Sequence, residues 1–194
     1  MVKLKKKQQS KATLRKGKKK WFSIVTPDYL HSIELGEITA FEPANLPGRM
    51  VSIPLKEITK SPRDSTSKIK FIITKVQGET CQLEPVELSV QDSQVQRMDR
   101  RAKDKIVKTV DAVTKDKQKI RIKVYILLSN KVARSVQTVL QTITENYVSD
   151  FIKTREVKNI FTTMTPKTIA NNLKKDLSKI YPANVIIWKI KKIQ

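Results

Sequence analysis

The alternation of apolar and polar residues predicts β-strands over the first two thirds of the chain. Between residues 21 and 129, runs rich in Thr, Val and Ile alternate with polar residues and are interrupted by Pro and Gly, as in strands joined by short loops. Seven strands are predicted, over residues 21–25, 37–41, 49–53, 68–76, 80–84, 105–114 and 119–128. Gln77-Gly78 is a suitable hairpin turn between the fourth and the fifth.

Two short segments break this alternation. Residues 61–67 are polar and predict an exposed loop. Residues 90–101 predict a short helix, because their apolar residues share one side and the other side is basic. Ser89 and Asp92 have the spacing of a capping box at its start.

Helical periodicity replaces the strand pattern in the last third. From residue 133 to 155, apolar residues recur every three or four positions and predict a long amphipathic helix. Its expected buried residues are Val136, Val139, Leu140, Ile143, Tyr147 and Phe151.

Two shorter helices and a strand are predicted to follow. The first helix is indicated by Val157, Ile160, Phe161 and Met164. The second begins at Thr165-Pro166 and ends at Tyr181-Pro182. Its expected buried residues are Ile169, Leu173, Leu177 and Ile180. In the closing strand, over residues 184–193, the residues expected on one face are Ile186, Trp188 and Ile190.

Together these elements predict an α+β fold. We expect an antiparallel β-barrel or sandwich-like body of about seven strands, a C-terminal group of two to three helices and a final strand. The expected organisation is a basic extension over 1–20, a mainly β body over 21–129, and a helical segment with the returning strand over 130–194. The last two belong to one globular unit, since 194 residues suit one domain of ordinary size.

Charge indicates the class of partner. The chain has 40 Lys and Arg against 18 Asp and Glu, a formal net charge of +22, so it calls for a polyanion: nucleic acid, an acidic membrane or an acidic protein. The first 20 residues contain no acid and almost nothing apolar, so this arm is expected to be disordered in free solution. Its ten cations are Lys3, Lys5, Lys6, Lys7, Lys11, Arg15, Lys16, Lys18, Lys19 and Lys20.

The sequence contains no pattern typical of an enzyme. Its glycines are isolated, which argues against a phosphate-binding loop or a dinucleotide fingerprint. His31 is the only histidine and Cys81 the only cysteine, so neither a metal site nor a disulfide is expected, and Cys81 is expected to be a buried small hydrophobe. We therefore expect no catalysis and no cofactor, and a soluble, cytoplasmic protein, because no apolar run could span a membrane.

Two basic segments are expected to bind phosphate. In residues 117–124, cations alternate with Ile and Val, so one face should be buried and the other charged; a solvated strand face is the alternative. These cations are Lys117, Lys119, Arg121 and Lys123. In the second segment, ion pairing with Asp99 and Asp104 is the alternative to RNA binding. Its cations are Arg97, Arg100, Arg101, Lys103 and Lys105.

Aromatic residues mostly lie on predicted core faces, so recognition of backbone and shape is favoured over readout of bases. Trp21 is the exception, because it directly follows three lysines. It could anchor the basic extension in the core or stack on a base; the apolar residues beside it favour the core.

Several segments, in their order and spacing, resemble one family over nearly the whole chain. These segments are Lys19-Lys20-Trp21-Phe22, Gly48-Arg49-Met50-Val51, residues 71–78 with Cys81, Arg100-Arg101 ahead of Lys105-Ile106, and Ile180-Tyr181-Pro182. The family is the small-subunit ribosomal protein eS1 of archaea and eukaryotes, formerly S3Ae. Because the chain stops at Gln194, without the longer C-terminal extension of eukaryotic members, it resembles the archaeal form.

The resemblance implies a structural protein that binds small-subunit ribosomal RNA. It implies a β-barrel-like body with helices beside it and a basic extension that penetrates the RNA, and it adds Arg49 to the expected RNA-binding residues. The implied location is the platform near the messenger exit channel, with neighbouring platform proteins as partners and messenger RNA close by. The alternative from composition is a free-standing RNA chaperone or non-specific nucleic-acid-binding protein.

Overall fold

The computed structural model describes residues 18–193 and confirms the α+β prediction. Within these residues, eight strands are paired in one open sheet, and the C-terminal helices are followed by a final strand that returns to it. The extension predicted over 1–20 lies almost entirely outside the described residues; of its cations only Lys18, Lys19 and Lys20 are described, and Lys20 begins the first strand.

Strands and helices follow each other in the predicted order. The strands are β1 (Lys20–Val25), β2 (Glu34–Ala40), β3 (Met50–Pro54), β4 (Ser67–Gln77), β5 (Thr80–Val90), β6 (Asp104–Val113), β7 (Lys119–Leu128) and β8 (Ala183–Ile193). The helices are α1 (Leu55–Thr59), α2 (Asp92–Asp99), α3 (Arg134–Lys153), α4 (Val157–Ile160) and α5 (Thr165–Ser178).

The sheet branches at β5. Along one edge β5 pairs antiparallel with β4, which pairs in turn with β3. Along the other edge, residues 80–82 pair parallel with β1, whereas residues 87–89 pair antiparallel with β8. The two branches, β1 with β2 and β8 with β7 and β6, therefore separate, and a cleft of about 670 Å³ opens between them.

Tyr29 and Glu84 lie in this cleft with Asp116 and Lys158. Burial, with a contribution from the negative charge of Glu84, raises the pKa of Tyr29 to about 12. The hydroxyl of Tyr29 in this cleft therefore stays neutral at pH values above the ordinary pKa of tyrosine.

One continuous core fills the space between the sheet and the helices. On β7, Ile120, Ile122, Val124 and Ile126 are fully buried, each worth about 1.5–3 kcal/mol of hydrophobic stabilisation. They belong to the same cluster as Leu140 of α3 and the buried residues of α5. Helix α3 packs against β6 and α5 packs against β8, so both helices cover one face of the sheet.

Burial along the helices agrees only in part with the predicted stripes. In α3 the fully buried residues include Leu140, Thr144 and Val148, whereas Val139 is 46% exposed, contrary to prediction. The buried stripe of the long helix is therefore rotated toward Thr144, whose hydroxyl donates a hydrogen bond to the carbonyl of Leu140 at 2.7 Å and so needs no water. Ile180, predicted to be buried, is also exposed, since it lies beyond the end of α5. Met164, predicted to belong to the first short helix, lies beyond the end of α4 and is exposed.

The predicted loop over 61–67 contains a buried charge. Its middle forms a short 3-10 turn in which Asp64 is only 4% exposed, and the Asp64 Oδ1 lies 2.6 Å from the Lys167 Nζ of α5. Sequence reasoning missed this pairing because the two residues are distant in the chain. Helix α1 was also missed, being a single turn between a proline and Lys60 in left-handed conformation.

The capping box predicted for α2 is wrong. Ser89 is buried within β5, which continues to Val90, and Gln91 occupies the N-cap position without a side-chain cap. The pairing of β5 with β4 and β8 extends this strand beyond the predicted end at residue 84. Asp92, the first residue of α2, instead accepts a hydrogen bond from β8, as described below.

Cys81 and the strand hairpin are as predicted. Cys81 is fully buried in the core, and burial raises the pKa of its thiol. Gly78 turns the chain between β4 and β5 with φ +62°, the left-handed conformation that glycine accepts most readily. His31 lies in a turn, as predicted, also with positive φ.

Candidate nucleic-acid interface

The cations of β7 lie on the face of the sheet opposite to α3 and α5. Ile120, Ile122 and Val124 point into the core, so Lys119, Arg121 and Lys123, which alternate with them, point the other way. The predicted charged strand face is therefore present. Lys117, predicted at its start, lies instead in the turn before β7 with φ +57°.

Strand β8 places further cations directly beside those of β7. The antiparallel register sets Arg121 opposite Lys191 and Lys123 opposite Lys189. Directly opposite side chains in such a pair have Cβ atoms about 4.5–5.5 Å apart, and like charges at that spacing are destabilising. Each such pair lowers stability unless an anion, from the chain itself or from a partner, lies beside it.

Strand β4 continues the positive surface on the far side of β5. Ile69 is buried, so Lys68 and Lys70 lie on the opposite face, next to Ser89 and Glu87 of β5 in the register. These β5 residues in turn oppose Lys189 and Lys191 of β8. We call the whole surface the outer cationic face; its residues are Lys68, Lys70, Lys119, Arg121, Lys123, Lys189 and Lys191.

Two carboxylates neutralise part of this face. Asp111 accepts two hydrogen bonds from Arg121, Nε to Oδ1 and Nη2 to Oδ2, both at 2.7 Å. This pairing lowers the pKa of Asp111 and raises the pKa of Arg121. Glu87 lies 3.2 Å from the Lys70 Nζ. The row that contains Lys68, Lys123 and Lys189 has only the more distant Asp92, 3.9 Å from Lys189.

Trp188 holds two lysines in this row. Because Lys123 pairs with Lys189 while Val124 pairs with Ile187, Trp188 is the extra residue of a β-bulge. Its ring centre lies 5.2 Å from the Lys123 Nζ and 4.5 Å from the Lys189 Nζ, within cation–π range. Its indole N–H donates to Asp92 at 2.9 Å, which ties the start of α2 to β8.

The bulge corrects a prediction about β8. Ile186, Trp188 and Ile190 do not share one face: Ile187 and Ile190 are buried, three positions apart, because Trp188 shifts the alternation by one residue. This shift is what brings Lys189 and Lys191 to the outer face.

In the second predicted cluster, around α2, one cation forms an ion pair within the chain and the arginines do not. Lys105 forms an ion pair with Asp99 at 2.6 Å, which raises the pKa of Lys105, so the alternative of local ion pairing is correct for this residue. Within residues 18–193, no carboxylate lies within 4 Å of the exposed guanidinium groups of Arg97, Arg100 and Arg101. Lys103 is exposed and donates to Asn130. The three arginines are therefore free to contact phosphate.

The remaining predicted cations lie elsewhere. Arg49 is exposed near β1 and β2, where its Nη1 donates to the carbonyl of Thr39 at 3.2 Å. Lys18, Lys19 and Lys20 are exposed at the start of β1. Outside the described residues lie Lys3, Lys5, Lys6, Lys7, Lys11, Arg15 and Lys16.

Trp21 is not a core anchor. Its side chain is 63% exposed, because Phe22 and Ile24 occupy the buried face of β1 and alternation turns Trp21 outward. The expectation that Trp21 fixes the basic extension in the core is therefore wrong.

Sequence reasoning missed four residues of the outer cationic face. Lys68 and Lys70 alternate with buried residues as the cations of β7 do, so the same signal was available. Lys189 and Lys191 could not be assigned, because their face depends on the bulge at Trp188.

Within residues 18–193, no three His, Cys, Asp or Glu side chains are placed to hold a metal ion. In the same part of the chain, no helix has the length and apolar character needed to cross a bilayer.

An α+β domain with cations clustered on one sheet face has the charge distribution typical of the class of proteins that bind polyanions. Comparison with known proteins is more specific. The model of the Ribosomal S3Ae family matches residues 5–194, and the chain therefore belongs to this family.

Archaeal relatives named small ribosomal subunit protein eS1 are similar over most of their length. The protein of Nanoarchaeum equitans is 28% identical over 165 residues, 85% of this chain and 83% of the relative. The protein of Methanoculleus marisnigri is 27% identical, and the match covers 84% of this chain and 83% of the relative. The protein of Picrophilus torridus is 24% identical, and the match covers 87% of this chain and 80% of the relative. The resemblance to an archaeal-type eS1 is confirmed, and the family gives the chain a structural, non-enzymatic role.

Proposed function

We propose that this chain is a structural protein of the small ribosomal subunit that binds ribosomal RNA through its phosphate backbone. The proposal includes the location implied by the sequence resemblance: the platform, near the messenger exit channel, beside other platform proteins and close to messenger RNA. The names of the archaeal relatives support a place in the small subunit. Such a place is on the ribosome in the cytoplasm.

One observation carries the RNA-binding part of the proposal: like charges face each other across β7 and β8. Lys123 opposes Lys189, and Arg121 opposes Lys191. A soluble surface normally intersperses the two signs of charge, whereas phosphates spaced along an RNA strand would lie between such pairs and remove their repulsion. Phosphate contacts position a protein without reading sequence, which suits a structural component.

The proposed interface combines three parts of the chain. The outer cationic face and the free arginines of α2 belong to the body, where α2 and β8 are joined through Asp92 and Trp188. The extension over 1–20 would thread into the RNA, where its contacts with phosphates release counterions. We propose accordingly that residues 21–194 form one globular unit from which the extension emerges.

Neutralising one opposed pair tests the interface. In the double variant Lys123→Gln with Lys189→Gln, we expect the slope of log K against log salt for small-subunit RNA to become shallower by about 1.4–1.8, from about 0.7–0.9 for each phosphate that is no longer neutralised. The matched control is Lys174→Gln with Lys175→Gln on the exposed side of α5, which changes net charge equally. Filter binding over a salt series measures both, and equal slopes in the two variants would refute a defined interface.

Cellular location is tested separately by sedimentation. We expect the chain to comigrate with small subunits in a sucrose gradient at moderate salt. Recovery in the free fractions alone would contradict the proposal and favour a free-standing RNA chaperone, which uses the same cations but exchanges rapidly among RNAs.

A further inference from the structure

Two aromatic rings are exposed together where the chain enters β1. Trp21 is 63% exposed and Phe41 37% exposed. Trp21 pairs with Thr39 in the antiparallel register of β1 and β2, and Lys20 pairs with Ala40, so Phe41, the first residue after β2, continues the register toward the position diagonal to Trp21. Diagonal neighbours are about 7–8 Å apart, within reach of aromatic side chains.

One cation lies beside the Phe41 ring, and another contacts the strand that pairs with Trp21. The Lys19 Nζ is 5.6 Å from the centre of the Phe41 ring. The Arg49 guanidinium is held by the carbonyl of Thr39, the residue opposite Trp21. Lys18 and Lys20, on either side of Lys19 in sequence, are also exposed. The other basic residues of the extension precede them in the chain. Glu42 is the acidic residue next to Phe41 in sequence, and within residues 18–193 it forms no ion pair with these cations within 4 Å.

This arrangement differs from the outer cationic face, which contains cations in register but no comparably exposed indole. An exposed indole is costly in water, whereas its flat apolar surface matches the face of a nucleobase. Every base has such a face, but in a duplex it is covered by neighbouring bases, so only an unpaired nucleotide can present it. The neighbouring Lys19 and Arg49 are then suited to the phosphates on either side of the stacked base.

We propose that Trp21, with Phe41, Lys19 and Arg49, forms a stacking site for an unpaired nucleotide of RNA. The inference rests on the proposed function and adds to it: the outer cationic face binds paired and unpaired RNA through phosphate, whereas this site selects single-stranded RNA. The basic extension would then meet the RNA next to a fixed base.

The test compares single-stranded and duplex RNA with the full-length chain. The probes are a uridine oligomer of about 12 nucleotides, whose bases stack weakly on each other, and a duplex of the same length. We expect Trp21→Ala to lower affinity for the uridine oligomer about 5- to 150-fold, which corresponds to the 1–3 kcal/mol of one base–aromatic stack, and to leave duplex affinity unchanged. Trp21→Phe should retain most of the affinity, since it keeps an aromatic face.

Tryptophan fluorescence gives an independent measurement. Stacking on Trp21 should quench the emission of the wild type when the uridine oligomer is added, and Trp21→Phe, in which only Trp188 emits, should lose most of that quenching. The matched control is Met164→Ala, since Met164 is an equally exposed apolar residue, 61%, at the start of α5. Circular dichroism verifies that each variant is folded, as expected for substitutions of exposed side chains.

The outcomes separate this inference from the proposed function. If Trp21→Ala binds the uridine oligomer as the wild type does, the stacking site is refuted, and the exposed rings would belong to a protein contact. If Trp21→Ala weakens binding of duplex and oligomer equally, stacking is again refuted, since a general loss indicates a backbone contact. Loss of duplex binding on neutralising Lys123 and Lys189 would still support the phosphate interface in either case.

Discussion

Individual side chains determine how much of the outer cationic face is free for phosphate. Arg121 is held by two short hydrogen bonds to Asp111, whereas Lys123 and Lys189 lie over the ring of Trp188, and the carboxylate near them is that of Asp92, 3.9 Å from the Lys189 Nζ. A surface ion pair of this exposure contributes little to stability, because solvent screens the two charges. We therefore expect Asp111 to affect RNA binding more than folding.

Replacing Asp111 with Asn should strengthen RNA binding. The substitution releases Arg121 for phosphate, so we expect affinity at about 0.1 M salt to rise roughly five- to tenfold and the salt slope to become steeper by about 0.9. Asp150→Asn, on the exposed side of α3, is the control with the same charge change. Similar gains in both variants would show that only net charge matters.

This effect should not depend on pH near neutrality. Arg121 lowers the pKa of Asp111, so the pair is complete at every pH above the ordinary aspartate range near 4. Its small contribution to stability is lost only as the pH falls through the lowered value.

Tyr29 should show the opposite pH dependence. Burial and Glu84 raise its pKa to about 12, so its contribution to stability is complete below the ordinary tyrosine value near 10 and is lost as pH rises through about 12. We expect Tyr29→Phe to reduce the fall in the free energy of unfolding between about pH 10 and 12, measured by urea denaturation. An identical alkaline decline in both proteins would contradict this assignment.

At the scale of elements, neighbouring positions on one helix have different roles. Leu140 of α3 is fully buried against the sheet, whereas Val139 beside it is 46% exposed, although both fit the same apolar periodicity. The helix packs across β6, and this contact selects which part of the apolar stripe is covered.

Alanine substitutions at these two positions should therefore differ strongly. We expect Leu140→Ala to lower the free energy of unfolding by about 2–5 kcal/mol, because it leaves a cavity in the core. Val139→Ala should change it by less than about 0.5 kcal/mol, since alanine has the higher helix propensity and Val139 packs little of its surface. Chemical denaturation measures both; comparable losses would mean that α3 is rotated relative to the sheet.

The register between β7 and β8 also determines which cations lie side by side on the outer cationic face. The single extra residue at Trp188 moves Lys189 and Lys191 to the outer face, opposite Lys123 and Arg121. Without the bulge, the same sequence would point these lysines toward the core.

At the scale of the whole molecule, net charge governs association. The formal charge of +22 is distributed between the body and the extension, which carries ten cations in its first 20 residues. Both parts are expected to contribute to the salt dependence of RNA binding, because each phosphate contact releases counterions.

Neutralising the extension in the full-length chain tests how much it contributes to the salt dependence of RNA binding. We expect replacement of its cations by Gln to make the salt slope shallower by about 0.7–0.9 for each phosphate that the extension no longer neutralises, without lowering the free energy of unfolding. The positions are Lys3, Lys5, Lys6, Lys7, Lys11, Arg15 and Lys16. An unchanged slope, measured by filter binding, would refute a phosphate role for the extension.

The sequence by itself determined the order and type of nearly all elements, the positive charge and the family. Alternation and helical periodicity are local properties, so β7 and α3 could be located from their own residues. Motifs that lie close together in the chain, such as Lys19-Lys20-Trp21-Phe22, likewise identified the family without any contact between distant residues.

Only the tertiary structure decided which side chains meet. The pairing of β7 with β8 aligns Lys123 with Lys189, which are far apart in the chain; α5 brings Lys167 to the buried Asp64, and a bulge turns Trp188. Trp21 is exposed because the buried face of β1 is the one that carries Phe22 and Ile24, which its apolar neighbours could not reveal. Each of these outcomes depends on strand register and on packing between distant segments, and neither is encoded in local periodicity.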